Sequence, residues 1–205
     1  MKIGILGGTF NPIHNGHIEF ASKFAKVLAL DKIIVIPAAV PPHKKSGGIA
    51  PFSCRYDMCL LATGELPLFE VSGIEERREG KSYTIDTVNE IKKAYPDAEL
   101  YLIIGSDMLL IFKEWYKYTE ILKSCTICTV LRKSDETEDG NKLNDFLEYK
   151  KSLEALNGKI FVGDFSVLNV SSTQIRTMAK KGQIKGGLLN ENVEAYIKEH
   201  KLYNE

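Results

Sequence analysis

A strand that runs straight into two glycines and then into a helix start fixes most of what this chain can become. Lys2 to Leu6 alternates and then turns apolar, the pattern of a buried strand. Gly7-Gly8-Thr9-Phe10-Asn11-Pro12-Ile13-His14-Asn15-Gly16-His17 follows. Beyond it Ile18, Phe20, Ala21, Phe24, Ala25 and Leu28 recur at helical spacing, so a helix is expected from Asn15 or Gly16. A strand, a tight turn and a helix N-terminus in succession aim backbone N–H groups and a partial positive charge at any anion above them. Gly7 and Gly8 leave no Cβ between that backbone and a phosphate.

The turn has neither the Lys-Ser/Thr ending of a P-loop nor the G-x-G-x-x-G spelling of a dinucleotide fold. It carries two imidazoles instead, His14 at the helix entry and His17 inside the first turn. Either can donate to phosphate oxygens. A lone histidine here would ordinarily be a cap or a core residue, but His-x-Gly-His directly after a Gly-Gly strand end favours phosphate. A second helix start of the same kind comes late, at Val170-Ser171-Ser172-Thr173-Gln174-Ile175-Arg176. Exposed N–H groups, hydroxyls and an arginine one turn in make a second anion site, with a plain N-cap as the bland alternative.

Between these two starts, strand and helix alternate. Lys32–Ala38 reads as a strand, Val40–Gly48 as a loop, Ser53–Leu66 as a helix with Tyr56, Cys59, Leu60 and Thr63 inward, and Leu68–Val71 as a short strand. Lys44 and Lys45 sit at the carboxyl end of a strand, where open α/β sheets bind ligands. Glu75–Gly80 reads as a solvated charged turn, and Thr84 as the N-cap of a helix carrying Ile85, Val88 and Ile91. Glu99–Gly105 is the next strand. Asp107 beyond it suits either a ribose hydroxyl or the N-cap of a helix over Met108–Phe112. Cys125–Leu131 and Lys159–Val162 are strands, Lys133–Asp145 a mobile surface loop, and Phe146–Leu156 and Asn190–Tyr203 helices. Such alternation implies right-handed crossovers and a mostly parallel, doubly wound, Rossmann-like α/β sheet with helices on both faces.

A length of 205 residues suits one such domain. Lys+Arg and Asp+Glu both number 27, so no global field draws in nucleic acid or an anionic membrane, and phosphate affinity must be local. No apolar run approaches a membrane span and the N-terminus lacks a leader pattern, so a cytoplasmic protein is expected. The four cysteines fit a reducing compartment. Cys125-Thr-Ile-Cys128 spells C-x-x-C, yet on a strand the two thiols face opposite ways. Cys54 and Cys59 lie roughly 140° apart around a helix. All four read as structural, and no metal site is expected.

The GGTFNPIHNGH run resembles the signature of the nucleotidylyltransferase superfamily, and with SSTQIR at Ser171–Arg176 it is similar to the bacterial nicotinate-nucleotide adenylyltransferases. The likeness extends from Lys2 to about Tyr203, with Asn11 standing where that family commonly has aspartate. It implies one nucleotidylyltransferase domain over 1–205, whose part from about 165 to 205 is helical and completes an ATP site. The implied reaction joins ATP and nicotinate mononucleotide into deamido-NAD and pyrophosphate. The substrate's own phosphate is the nucleophile, which accounts for the lack of a Ser-His-Asp or Cys-His arrangement.

The implied roles are as follows. His14, His17, Lys44 and Arg176 act on the phosphates, and Gly7, Gly8, Thr9, Phe10, Gly16, Ser172 and Thr173 bind ATP. Gly105 and Asp107 lie by a ribose, and Thr84, Trp115 and Tyr116 seat the nicotinate, whose ring needs a flat apolar surface. Mg²⁺ arrives on the nucleotide, and assembly into a homo-oligomer is left open. The rivals are a sibling acting on nicotinamide mononucleotide or phosphopantetheine, a synthetase-like enzyme lacking its KMSKS loop, and a non-catalytic nucleotide sensor.

Overall fold

The computed structural model describes residues 1–41, 48–131 and 140–204, the side chains of 140–142 excepted. Lys44 and Lys45 lie outside the described residues, as does the 133–139 part of the expected surface loop. From Gly140 onward that expectation fails, because the chain is already helical there.

Six strands form one parallel sheet in the order β3-β2-β1-β4-β5-β6. They are β1 (Lys2–Gly8), β2 (Lys32–Pro37), β3 (Phe69–Val71), β4 (Glu99–Ile103), β5 (Thr126–Val130) and β6 (Lys159–Gly163). The chain builds outward from β1 through β2 to β3, then crosses back to place β4 on the other side of β1. That reversal leaves a crevice above the carboxyl ends of β1 and β4, where open α/β sheets bind ligands.

Helices cover both faces, which is why the central strands read as continuous apolar runs instead of alternating ones. Ile33 and Val35 point into one core while Ile34 and Ile36 point into the other. The first core is roofed by α1 (Asn15–Leu28), α2 (Phe52–Thr63), α7 (Ser172–Lys180) and α8 (Glu191–Glu199). The second lies under α3 (Thr84–Ala94), α5 (Tyr118–Ser124) and α6 (Gly140–Glu154), beside the short α4 (Ser106–Leu110). Phe24 of α1 is fully buried against the rings of Phe20, Phe161 and Phe165 at 5.1, 6.1 and 5.0 Å. Removing a ring from such a site costs about 3–5 kcal/mol.

Several local expectations are corrected. In α2 the inward side is Arg55, Met58, Cys59, Ala62 and Thr63, while Leu60 is exposed and Tyr56 half-buried. The last helix ends at Glu199 instead of Tyr203. Cys125 and Cys128 do face opposite cores. Burial pushes both thiols up to about 12, so neither is a thiolate at neutral pH.

Candidate active site

Sheet topology brings the two glycine- and hydroxyl-rich helix starts together at the crevice. His14 is the N-cap of α1 and His17 its N3 residue. The His14 backbone N–H donates to His17 Nδ1 at 3.1 Å, so in this state the His17 proton sits on Nε2. The two imidazoles stack at 3.6 Å and 20°. Phe10 meets the His17 ring edge-on at 5.1 Å.

Each glycine of the motif has its own reason. A Cβ on Gly8 would meet the Phe10 ring at 2.9 Å, and one on Gly16 would meet Val170 at 2.8 Å and the Leu168 carbonyl at 3.1 Å. A Cβ on Gly7 would touch nothing within 4 Å and would project into open space. Gly8 and Gly16 therefore permit close packing of the protein on itself, while Gly7 keeps the approach above β1 clear.

The second helix start is fastened to the first by side chains. Ser171 caps α7 with a reciprocal capping box: its Oγ accepts from Gln174 N at 3.2 Å, and Gln174 Oε1 accepts from Ser171 N at 2.8 Å. Ser172 Oγ donates to the Pro12 carbonyl at 2.9 Å. Arg176 donates to the Asn11 carbonyl at 2.9 Å and to Thr173 Oγ1 at 3.1 Å. The segment leading into α7 is in turn held on α1, with Lys23 donating to the Ser166 carbonyl at 2.6 Å and Glu19 accepting from Leu168 N at 3.0 Å.

Among the described residues, every one that sequence reasoning assigned to the site, Phe10 excepted, lines one cavity of about 990 Å³. The Phe10 side chain is 3% exposed and packs on His17, which leaves its backbone as the part that can reach a ligand. On the far side, Gly105 caps α4 and Asp107 stands exposed in the first turn, so Asp107 is not the cap. Thr84 is also not a cap. Tyr83 holds that position and Thr84 is the first residue of α3. The N–H groups of Asp86 and Thr87 go to the Tyr83 carbonyl. Those of Thr84 and Ile85 stand one step earlier, among the first helical amides that no carbonyl of their own helix reaches. Trp115 packs on Phe112 at 5.1 Å and also lines the cavity, so it belongs to the core and to the cavity wall at once. Tyr116 is exposed over Tyr83 at 4.6 Å.

The network around Glu75 was missed. The charged run Glu75–Gly80 is not merely a solvated turn: Glu75 is 8% exposed and lines the cavity. Its Oε1 accepts from Thr87 Oγ1 at 2.7 Å, and Arg78 binds both Thr87 and Glu90 at 2.6 and 2.7 Å. Lys81 and Tyr83 also line this end. Ser82 is zipped to Val40 by a reciprocal pair of 3.0 Å bonds. The charged run by itself gave no sign of this, because each partner sits on another segment of the chain.

Residues 5–178 match the model of the cytidylyltransferase-like family. A curated protein of Pelobacter propionicus named "Probable nicotinate-nucleotide adenylyltransferase" is 41% identical over 216 residues, covering 100% of this chain and 99% of that protein. One of the same name from Dictyoglomus turgidum is 40% identical over 205 residues, covering 100% and 97%. Among solved structures, the Plasmodium falciparum nicotinic acid mononucleotide adenylyltransferase complexed with NaAD shares the fold. Its TM-score is 0.75 at 18% identity, over 99% of this chain and 97% of that one. The histidine turn and the α7 start thus sit in a sheet and a sequence that agree along their whole length, and the chain belongs to the cytidylyltransferase-like family, in its nicotinate-nucleotide adenylyltransferase branch.

Proposed function

We infer that this chain transfers AMP from ATP to nicotinate mononucleotide, releasing deamido-NAD and pyrophosphate. The observation that carries the reading is the junction of two phosphate-facing helix starts, bound to each other through Pro12 and Asn11, at the switch point of a parallel sheet. The cavity is at the upper end of the size range for ligand sites, with room for two nucleotides.

In this reading an oxygen of the mononucleotide phosphate attacks the α-phosphorus of ATP and the bond to pyrophosphate breaks. No enzyme base is needed because the nucleophile is already anionic. The work left to the protein is positioning two polyanions and stabilising charge as it moves to the leaving group. His17 offers Nε2–H, and His14, Arg176, Ser172 and Thr173 complete the polyphosphate end. Gly7, Gly8, Gly16 and the backbone at Thr9 and Phe10 shape its floor, with Lys44 assigned to the same end. Gly105 and Asp107 take a ribose. Trp115 and Tyr116 flank the pyridine ring, and the first amides of α3, at Thr84 and Ile85, face its carboxylate. One domain over 1–205 performs this, residues 165–205 completing the ATP end.

A magnesium ion suits this wall when it comes bound to the nucleotide. Among the described residues no group of three or more His, Cys, Asp or Glu could hold a metal. Phosphate oxygens and water would be its ligands, and the ion would supply charge neutralisation on the phosphates.

The test is pyrophosphate release from ATP with nicotinate mononucleotide, nicotinamide mononucleotide and phosphopantetheine as acceptors. Each polar group left unpaired by the amide costs about 1–3 kcal/mol, so kcat/KM for the acid should exceed that for the amide by at least about a hundredfold. Equal values would reassign the acceptor and leave adenylyl transfer standing. No release with any acceptor would favour a nucleotide sensor.

A further inference from the structure

Arg55 is the one charged side chain in α2 that the fold buries almost completely, at 2% exposure, and it forms no ion pair with a carboxylate among the described residues. A buried guanidinium without a counter-ion is costly, so its surroundings must repay the burial in another way. Among the described residues its hydrogen bonds go to main-chain carbonyls beside the phosphate turn: Nε donates to Ala50 O at 3.0 Å and Nη1 to Thr9 O at 2.8 Å. The Asn11 side chain completes the clip, its Nδ2 donating to Gly48 O at 2.9 Å and its Oδ1 accepting from Ala50 N at 3.0 Å. Ala50 is thus held by its N–H from Asn11 and by its C=O from Arg55.

The geometry has a consequence for the turn. In a trans peptide the C=O and the following N–H point in opposite directions. Drawing the Thr9 carbonyl down to Arg55 therefore turns the Phe10 N–H away from α2, towards the cavity that Thr9 lines. Phe10 itself has φ 46°, a left-handed conformation uncommon outside glycine, so this peptide needs an external hold. Burial lowers the Arg55 guanidinium below its ordinary range, and the groups that work against this are Cys59, Tyr203 and Glu75 at longer reach, none a close anion.

We propose that Arg55 is a positioning residue for the ATP polyphosphate: it fixes the Thr9–Phe10 peptide with its N–H towards the cavity and adds a buried positive charge beneath the turn, which the bound polyphosphate offsets. The proposal rests on the reading of this cavity as an ATP site, but it can be tested with a probe that needs no acceptor. Arg55→Met should weaken inorganic tripolyphosphate binding and raise the KM for ATP by about tenfold or more, leaving the KM for nicotinate mononucleotide within about twofold. Arg55→Lys keeps the charge but cannot span both carbonyls, so it should recover part of the loss. If Arg55→Met does not fold, Arg55→Lys and the Arg55 Nε–H resonance of the unaltered protein decide. That resonance should shift and exchange more slowly on adding tripolyphosphate.

Variants that melt earlier yet keep wild-type tripolyphosphate affinity and ATP KM would reduce Arg55 to a structural residue, as would an unmoved resonance while tripolyphosphate binds. If the unaltered protein binds tripolyphosphate but transfers no AMP, the assigned reaction fails and the Arg55 proposal stands. If it binds no tripolyphosphate, both fall.

Discussion

The two ends of the cavity are built by opposite means. At the end proposed for the polyphosphate, the turn from β1 to α1 and its two imidazoles line the cavity, braced by side chains that bond backwards into the turn: Ser172 to Pro12, Arg176 to Asn11 and Arg55 to Thr9. At the acceptor end, side chains from separate segments meet directly. Tyr83 lies on Tyr116, Glu75 on Thr87, and Arg78 bridges Thr87 and Glu90. The first construction suits phosphate, which many substrates share. The second can be changed one side chain at a time, which suits the half that distinguishes one acceptor from another.

The largest test of this contrast is His17→Ala. Loss of one preorganised donor to developing charge should lower kcat by roughly 10²–10³, with unfolding still cooperative. Near-normal turnover would remove His17 from the chemistry. Next comes Arg176→Lys, which cannot reach the Asn11 carbonyl and Thr173 together. The KM for ATP should rise about tenfold while that for the acceptor stays put, and equal changes in both would blur the two ends into one.

Thr87→Val makes the converse test. It takes away the hydroxyl that donates to Glu75 and accepts from Arg78, leaving buried charge poorly met. Stability should fall by about 1–3 kcal/mol, and steady-state kinetics should show the acceptor KM rising with the ATP KM unmoved. The smallest effect is at Glu19. Its hydrogen bond from Lys23, helped by the Leu168 N–H and opposed by burial, holds the carboxyl below its ordinary value. A depressed folded pKa gives stability that is present above the unfolded value near pH 4.3 and is lost as pH falls through the folded one. Melting curves of Glu19→Gln and the unaltered protein should therefore differ slightly at pH 7 and converge once the pH has fallen through the depressed folded value.

The same contrast governs what could be read from the sequence. The polyphosphate end was legible because its parts are contiguous: glycines, histidines and the SSTQIR run keep their spacing whatever the fold, and sheet topology only had to bring two short runs together. Phe10 and Gly16 fell within those runs, and they also pack, Phe10 on His17 and Gly16 against Leu168 and Val170, a task that spacing cannot separate from ligand contact. At the acceptor end, Glu75 looked like one charge in a solvated turn. Its burial depends on Thr87 and Arg78, and nothing local announces that an exposed-looking carboxylate will meet a helix. Asn11 shows the same limit. Its amide uses both a donor and an acceptor on Gly48 and Ala50, where an aspartate could only accept.

The bonds from Ser172 to Pro12 and from Arg176 to Asn11 span 160 and 165 residues. During synthesis, the first helix start must therefore wait for nearly the whole chain before its partner emerges. A ribosome-held fragment ending before α7 would carry both histidines and the glycine turn, yet its carbonyls at Asn11 and Pro12 would have no brace. Contacts this distant are among the last to be rewarded in folding, because the loop they close must be ordered first. Nucleotide affinity in a series of progressively longer fragments should consequently appear as a step once residue 176 is free to fold back, not as a gradual rise.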